Sequence, residues 1–196
     1  GGFAPPPKPD LPPHWVSDVA VDDVDAAAKK VTAAGGKSLM EAFEVPGVGR
    51  MQPVTDAEGA AFFLFKGADG PQPEVKGIGS FHWNELWARD VDAAKGFYEK
   101  VLGYTTKTMD MPNGPYVILE QNGEPRGGLM AAPAEEIPPH WTQYITVDDV
   151  DACLDRVKKH GGKVVGEPME VPGVGRFAHI LDNVGAAIAV IAPAEA

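Results

Sequence analysis

Two tryptophans flank one glutamate at alternate positions, Trp83, Glu85 and Trp87, and no other residues of this chain are better suited to chemistry. In an extended segment all three project from one face. Two flat apolar walls around a carboxyl group give it surroundings in which it can hold and release a proton, so Glu85 is the candidate general acid or base. The indoles are candidate stacking surfaces for a planar cationic compound. The same parity on a second strand turns His140, Thr142 and Tyr144 to the same side. Tyr116 and His179, on later strands, complete the ligand-binding set. A structural reading is also open, in which Glu85 anchors a hydrogen-bond network with Tyr144 or Arg126 and the tryptophans fill core.

Other reactive side chains have simpler explanations. His14 and His140 each follow Pro-Pro at a strand start, which suits turn bonding. His160 precedes a glycine pair and favours a helix C-terminus electrostatically. The single Cys153 lies at helical spacing with Val150, Leu154 and Val157, so it reads as a small core residue, and one cysteine makes no internal disulfide. Arg50 and Arg176 follow two copies of VPGVG, as loop anchors or anion contacts. No HExxH, P-loop or dinucleotide fingerprint appears.

The elements that position these residues come from a repeat. Residues 11–67 and 137–193 align without a gap at an offset of 126, with 26 identities in 57 positions. PPHW, VDDVDA, GGK and EVPGVGR all recur. Duplication at that period makes the architecture an array of like modules. Each reads as strand, helix and three strands. In the last copy the strands fall near residues 141–147, 163–167, 176–181 and 187–191. Asp148 or Asp149 caps the helix, and Gly161-Gly162 stops it. In the first copy the strands fall near 16–21, 37–42, 51–55 and 61–65. A divergent third copy lies between them, with strands near 81–88, 104–111, 116–121 and 127–131, and Asp90 as cap. PNGP and NGEP turns separate its last strands. The expected organisation is an incomplete first domain over 1–68, a linker over 69–76, and a complete domain over 77–196 from modules 77–132 and 137–193. The first module then needs an upstream segment or a second chain to cover its sheet, so a homo-oligomer is one expected partner.

Composition narrows the partners. The net charge is −11, from 28 acidic against 17 basic residues, without a Lys/Arg cluster. That argues against nucleic acid and anionic membrane, both of which need a basic footprint. No apolar run reaches transmembrane length, and no secretory signal opens the sequence. A reducing cytoplasm is the expected location.

A tandem βαβββ unit carrying WNEL and RDVDAAKGFYEKVLG over residues 83–103, with the two PPHW…VDDVDA…GG…EVPGVGR halves, resembles the vicinal oxygen chelate superfamily. That group includes glyoxalase I, bleomycin-resistance proteins and extradiol dioxygenases. The resemblance implies an α+β fold of tandem βαβββ units, with mixed sheets curled around a cavity and helices outside. It also implies a divalent metal held by His, Gln or Glu on the first strand of each module and Glu or His on the last. Those first-strand positions carry over to Trp83, Thr142 and Val16, and the last-strand positions to Ala189 and Phe63. None carries the family's ligand type, so the expected cofactor is none, with a divalent metal as the family's alternative. The expected function is a glyoxalase/bleomycin-resistance-like protein that binds a small molecule in an aromatic, weakly acidic cavity. Two further readings are a metal-dependent lyase, isomerase or dioxygenase, and a non-catalytic assembly protein.

Overall fold

A computed structural model describes Pro5 and residues 11–70, 75–111 and 114–194. Parts of the expected linker (71–74) and of the PNGP turn (112–113) lie outside the described residues. The first module holds β1 (Asp18–Ala20), α1 (Val24–Ala33), β2 (Lys37–Ser38), β3 (Phe43–Val45), β4 (Gly49–Thr55) and β5 (Ala61–Gly67). The second holds β6 (Phe81–Ala88), α2 (Val91–Leu102), β7 (Thr105–Met111), β8 (Gly114–Gln121) and β9 (Glu124–Ala131). The third holds β10 (His140–Thr146), α3 (Val150–Lys159), β11 (Lys163–Val171), β12 (Gly175–Leu181) and β13 (Ala187–Pro193). The βαβββ order is therefore present three times.

Within every module the first strand pairs in parallel with the last, and the remaining contacts are antiparallel. A parallel pair cannot be joined by a tight turn, so a helix fills the crossover from the first strand. Each helix starts on the aspartate its sequence offers. Asp23, Asp90 and Asp149 sit in extended backbone and accept the N–H of Ala26, Ala93 and Ala152, each at 2.9 Å. In the third module Asp149 is the cap, and Asp148 accepts from its backbone N–H. Gly103 ends α2 in the left-handed region at φ 70°, open to a residue without a β-carbon.

Two details differ from the sequence reading. Of the expected strand over 37–42 only Lys37–Ser38 (β2) is strand; β3 follows at Phe43–Val45, and both pair with β4. The second glycine of each GGK is needed for space, because its backbone φ is not positive. A β-carbon at Gly36 would meet the Thr55 carbonyl oxygen, and would lie 2.7 Å from Val31 Cγ1 and 3.2 Å from Phe97 Cε2.

The described residues form two compact bodies. The larger comprises residues 16–70, 83–111 and 114–141, and the smaller 11–15, 75–82 and 142–194. In the larger body the helical stripes meet in one core: Val24 and Val31 from α1, Phe97 and Tyr98 from α2, with Phe62, Leu64, Leu86, Leu119 and Leu129 from the strands. The periodicity that marks those stripes is the usual 3.6-residue apolar face. In the smaller body Val150 and Leu154 of α3 pack on Ala178, Ile180, Ile188 and Val190. Among the described residues no helix is long and apolar enough to cross a membrane.

Candidate functional site

β6 sorts its side chains by strand alternation. Leu86 and Ala88, 0% and 1% exposed, enter the helix-side core of the larger body. Trp83, Glu85 and Trp87 take the opposite face and are linked by hydrogen bonds. Trp87 Nε1–H donates to Glu85 Oε1 at 2.7 Å. Tyr116 on β8 donates its hydroxyl to Glu85 Oε2 at 2.8 Å. That same hydroxyl accepts from Trp83 Nε1–H at 2.9 Å. Each Glu85 oxygen thus accepts one of these hydrogen bonds. Glu85 is 8% exposed, while both indoles are half-buried.

Tyr116 is kept a donor by its surroundings. Burial first, then the neighbouring Glu85 charge, push its hydroxyl far above the usual tyrosine range. His140 packs its ring edge-to-face on Trp87, with centroids 5.1 Å apart, and its Nδ1 lies 2.8 Å from the Pro138 carbonyl oxygen. His14, its repeat equivalent, is exposed and makes the same bond to Pro12 at 2.9 Å. Turn bonding therefore accounts for Nδ1 in both PPHW copies.

The larger body thus gathers Trp83, Glu85, Trp87, Tyr116 and His140. The other three candidates lie in the smaller body. There Tyr144 contacts Phe177 and His179 edge-to-face, at 5.7 and 5.8 Å, and the last two rings contact each other at 6.0 Å. The pairing register runs Tyr144 to Ala189 to His179 across three strands, so a small residue separates two rings. Thr142, 5% exposed, precedes Tyr144 on the same face. Sequence reasoning missed Phe177, which shares the parity of His179. Within the larger body the hydrogen bonds to Glu85 come from Trp87 and Tyr116.

A second buried chain was also not anticipated. Trp141 Nε1–H donates to Tyr98, and Tyr98 donates to Asp56 Oδ2, both at 3.0 Å. Asp56 Oδ1 also accepts the backbone N–H groups of Glu58, Gly59 and Ala60, each at 2.9 Å. Burial pushes the Asp56 carboxyl up, against the pull of those donors, and pushes Tyr98 well up. Within the larger body this chain ties the first module to the second. Glu58 strengthens the tie by accepting the N–H groups of Arg89 and Asp90 at 2.9 Å, at the start of α2.

Two open grooves lie beside the arginines that follow the VPGVG loops, of about 400 Å³ at Arg176 in the smaller body and about 420 Å³ at Arg50 in the larger, and only the second is bordered by its loop. Neither is lined by any candidate site residue. Arg50 is bidentate to Asp25 at 2.8 and 3.1 Å, and Arg176 to Asp151 at the same distances. Both guanidinium groups are already balanced by carboxylates, which fits a loop anchor.

The donor chemistry required for the family metal can be tested position by position. At the carried-over positions it meets the indole of Trp83 on β6, the hydroxyl of Thr142 on β10 and the isopropyl of Val16, which lies two residues before β1. Ala189 pairs with Tyr144 and Phe63 with Asp18, and the equivalent partner of Glu85 is Gly128. Indole, alkyl and phenyl groups offer no lone pair to a divalent ion, and one hydroxyl is a poor ligand alone. These residues do not fit the metal. Among the described residues no three His, Cys, Asp or Glu side chains cluster closely enough to hold one.

The topology and the sequence agree with known proteins. The family model described as Glyoxalase/Bleomycin resistance protein/Dioxygenase superfamily matches residues 80–190. The chain belongs to this superfamily. Proteins named "Putative glyoxylase CFP32" from Mycobacterium bovis and Mycobacterium tuberculosis are 40% identical to it over 186 residues, covering 94% of this chain and 71% of theirs. The anthracycline biosynthesis protein DauV of a Streptomyces species is 34% identical over 188 residues, covering 95% of this chain and 68% of its own. Among solved structures, the Mn(II)-bound glyoxalase from Novosphingobium aromaticivorans superposes with a TM-score of 0.60. It is 21% identical over 91% of this chain and 62% of that one, a likeness of fold. This superfamily member therefore shares the βαβββ scaffold while differing at the positions where the family places its metal.

Proposed function

We propose that this superfamily member binds a small, planar aromatic molecule on the Trp83–Glu85–Trp87 face of β6, without the family's metal. The observation that carries this reading is the bonding of the two indoles. Both N–H edges are engaged within the protein, by Tyr116 and by Glu85, so a ligand would meet ring surface rather than N–H donors, with His140 already packed against the Trp87 ring. Stacking on such faces suits flat compounds, and the carboxylate between them favours a positive charge. Relatives named for anthracycline biosynthesis support a fused-ring aromatic ligand. The smaller body carries aromatic side chains of its own in the Tyr144–Phe177–His179 cluster, with Thr142 two residues before Tyr144. The names glyoxylase and lactoylglutathione lyase among the relatives favour an enzymatic version, in which Glu85 moves a proton.

Titration with a planar acridinium dye tests the binding. Dye should quench tryptophan emission, and Trp83→Ala should weaken binding at least about tenfold, the loss expected for one aromatic contact of about 1.4 kcal/mol. Unchanged affinity in Trp83→Ala dismisses the site. Elemental analysis of protein purified without chelator tests the metal-free claim, and a stoichiometric divalent ion lost in Glu85→Gln would overturn it. Catalysis surviving Glu85→Gln would exclude the proton-transfer role.

A further inference from the structure

Gly128 lies on β9 directly opposite Glu85 on one side and Ile118 of β8 on the other. Its backbone is ordinary strand, outside the left-handed region, so conformational freedom does not explain a glycine there. Space does. A β-carbon at position 128 would run into the Tyr116 hydroxyl oxygen and Cζ, and would lie 2.8 Å from Cε1. The Tyr116 ring therefore lies across β9 where a side chain would otherwise stand. Glycine within a strand often marks such a close approach.

The consequence reaches the whole site. The hydroxyl seated over Gly128 is the group that joins Trp83 Nε1 to Glu85 Oε2, and Glu85 in turn holds Trp87 Nε1. Removing it leaves a half-buried indole N–H and a buried carboxylate oxygen without the partner each has here. We propose that Gly128 is the positioning residue of this site: by presenting no side chain beside Glu85, it seats Tyr116 and thereby fixes both indoles and the carboxylate. It touches no ligand in this role and acts only through Tyr116. The register also puts Gly128 where the third module has Ala189 and the first has Phe63. A phenolic hydroxyl from a neighbouring strand thus occupies the place next to that position. The functional weight of this role rests on the ligand-facing reading of β6, but the geometry can be tested without ligand.

The chain has four tryptophans, each with one indole N–H resonance in a ¹H–¹⁵N correlation spectrum. Tyr116→Phe should move the Trp83 and Trp87 signals and leave those of Trp15 and Trp141 in place. Gly128→Ala should move the same two. In a Tyr116→Ala background, which removes the obstructing ring, Gly128→Ala should cause no further shift and no further loss of thermal midpoint. Gly128→Ala that leaves Trp83 unmoved, or that remains as damaging without the Tyr116 ring, overturns the proposal. If Gly128→Ala alone does not fold, recovery of the folded spectrum in the double variant supports it, and failure to recover refutes it. Dye binding separates the two readings. Shifted indole signals with Trp83→Ala still binding dye normally would sink the ligand site alone, whereas unshifted signals with lost dye binding would sink only the role of Gly128.

Discussion

Replacing Tyr98 with Phe should destabilise the larger body by more than its single hydroxyl suggests. That hydroxyl is fully buried, donates to Asp56 Oδ2 and accepts from Trp141 Nε1, both at 3.0 Å. The ring stays, so packing is nearly unchanged, and the loss is polar. A buried acceptor or donor deprived of its partner costs about 1–3 kcal/mol, more when charged, so the two ends together should cost about 2–4 kcal/mol. The pH dependence gives the sharper test. Asp56 is raised above its ordinary 3.8, chiefly by burial, so the native state holds this proton more tightly than the unfolded chain. Stability from this group therefore falls as pH rises from 3.8 through the folded value, and the penalty is complete above it. The Tyr98 hydroxyl opposes that rise. Deleting it lifts the folded value further and enlarges the penalty at neutral pH, while below 3.8 Asp56 is protonated in both states and its share vanishes. Urea denaturation of both proteins at several pH values reads this directly. A loss under about 0.5 kcal/mol at pH 7, below the range for one buried partner, would refute the reasoning. So would a loss that grows on acidification.

Other outcomes follow from the same geometry. Gly36→Ala should lower the thermal midpoint, because its β-carbon faces a backbone carbonyl that cannot swing aside; about 1–3 kcal/mol is expected, and a neutral effect would show that β4 can shift. Asp90→Ala should cost about 1 kcal/mol by removing the α2 cap, and Asp90→Asn should restore most of it. Arg176→Ala should leave dye binding intact, and its small effect on stability should fade as salt is raised; a salt-independent loss would mean that the loop depends on the stem of the side chain.

The sequence by itself determined the threefold βαβββ array. The repeat, the capping aspartates Asp23, Asp90 and Asp149, and the 3.6-residue stripes all act between neighbours a few positions apart, so chain order alone exposes them. It also determined which face of β6 carries Trp83, Glu85 and Trp87, since strand alternation has a period of two. Tertiary structure decided what those residues touch. The Tyr116 hydroxyl reaches Glu85 from 31 positions away and Tyr98 reaches Asp56 from 42, distances over which spacing carries no information. It also gave Gly128 its meaning, because a missing β-carbon matters only once another strand lays a ring across it. Local interactions are written along the chain, whereas a hydrogen-bond partner is chosen by whichever strands happen to become neighbours in the folded sheet.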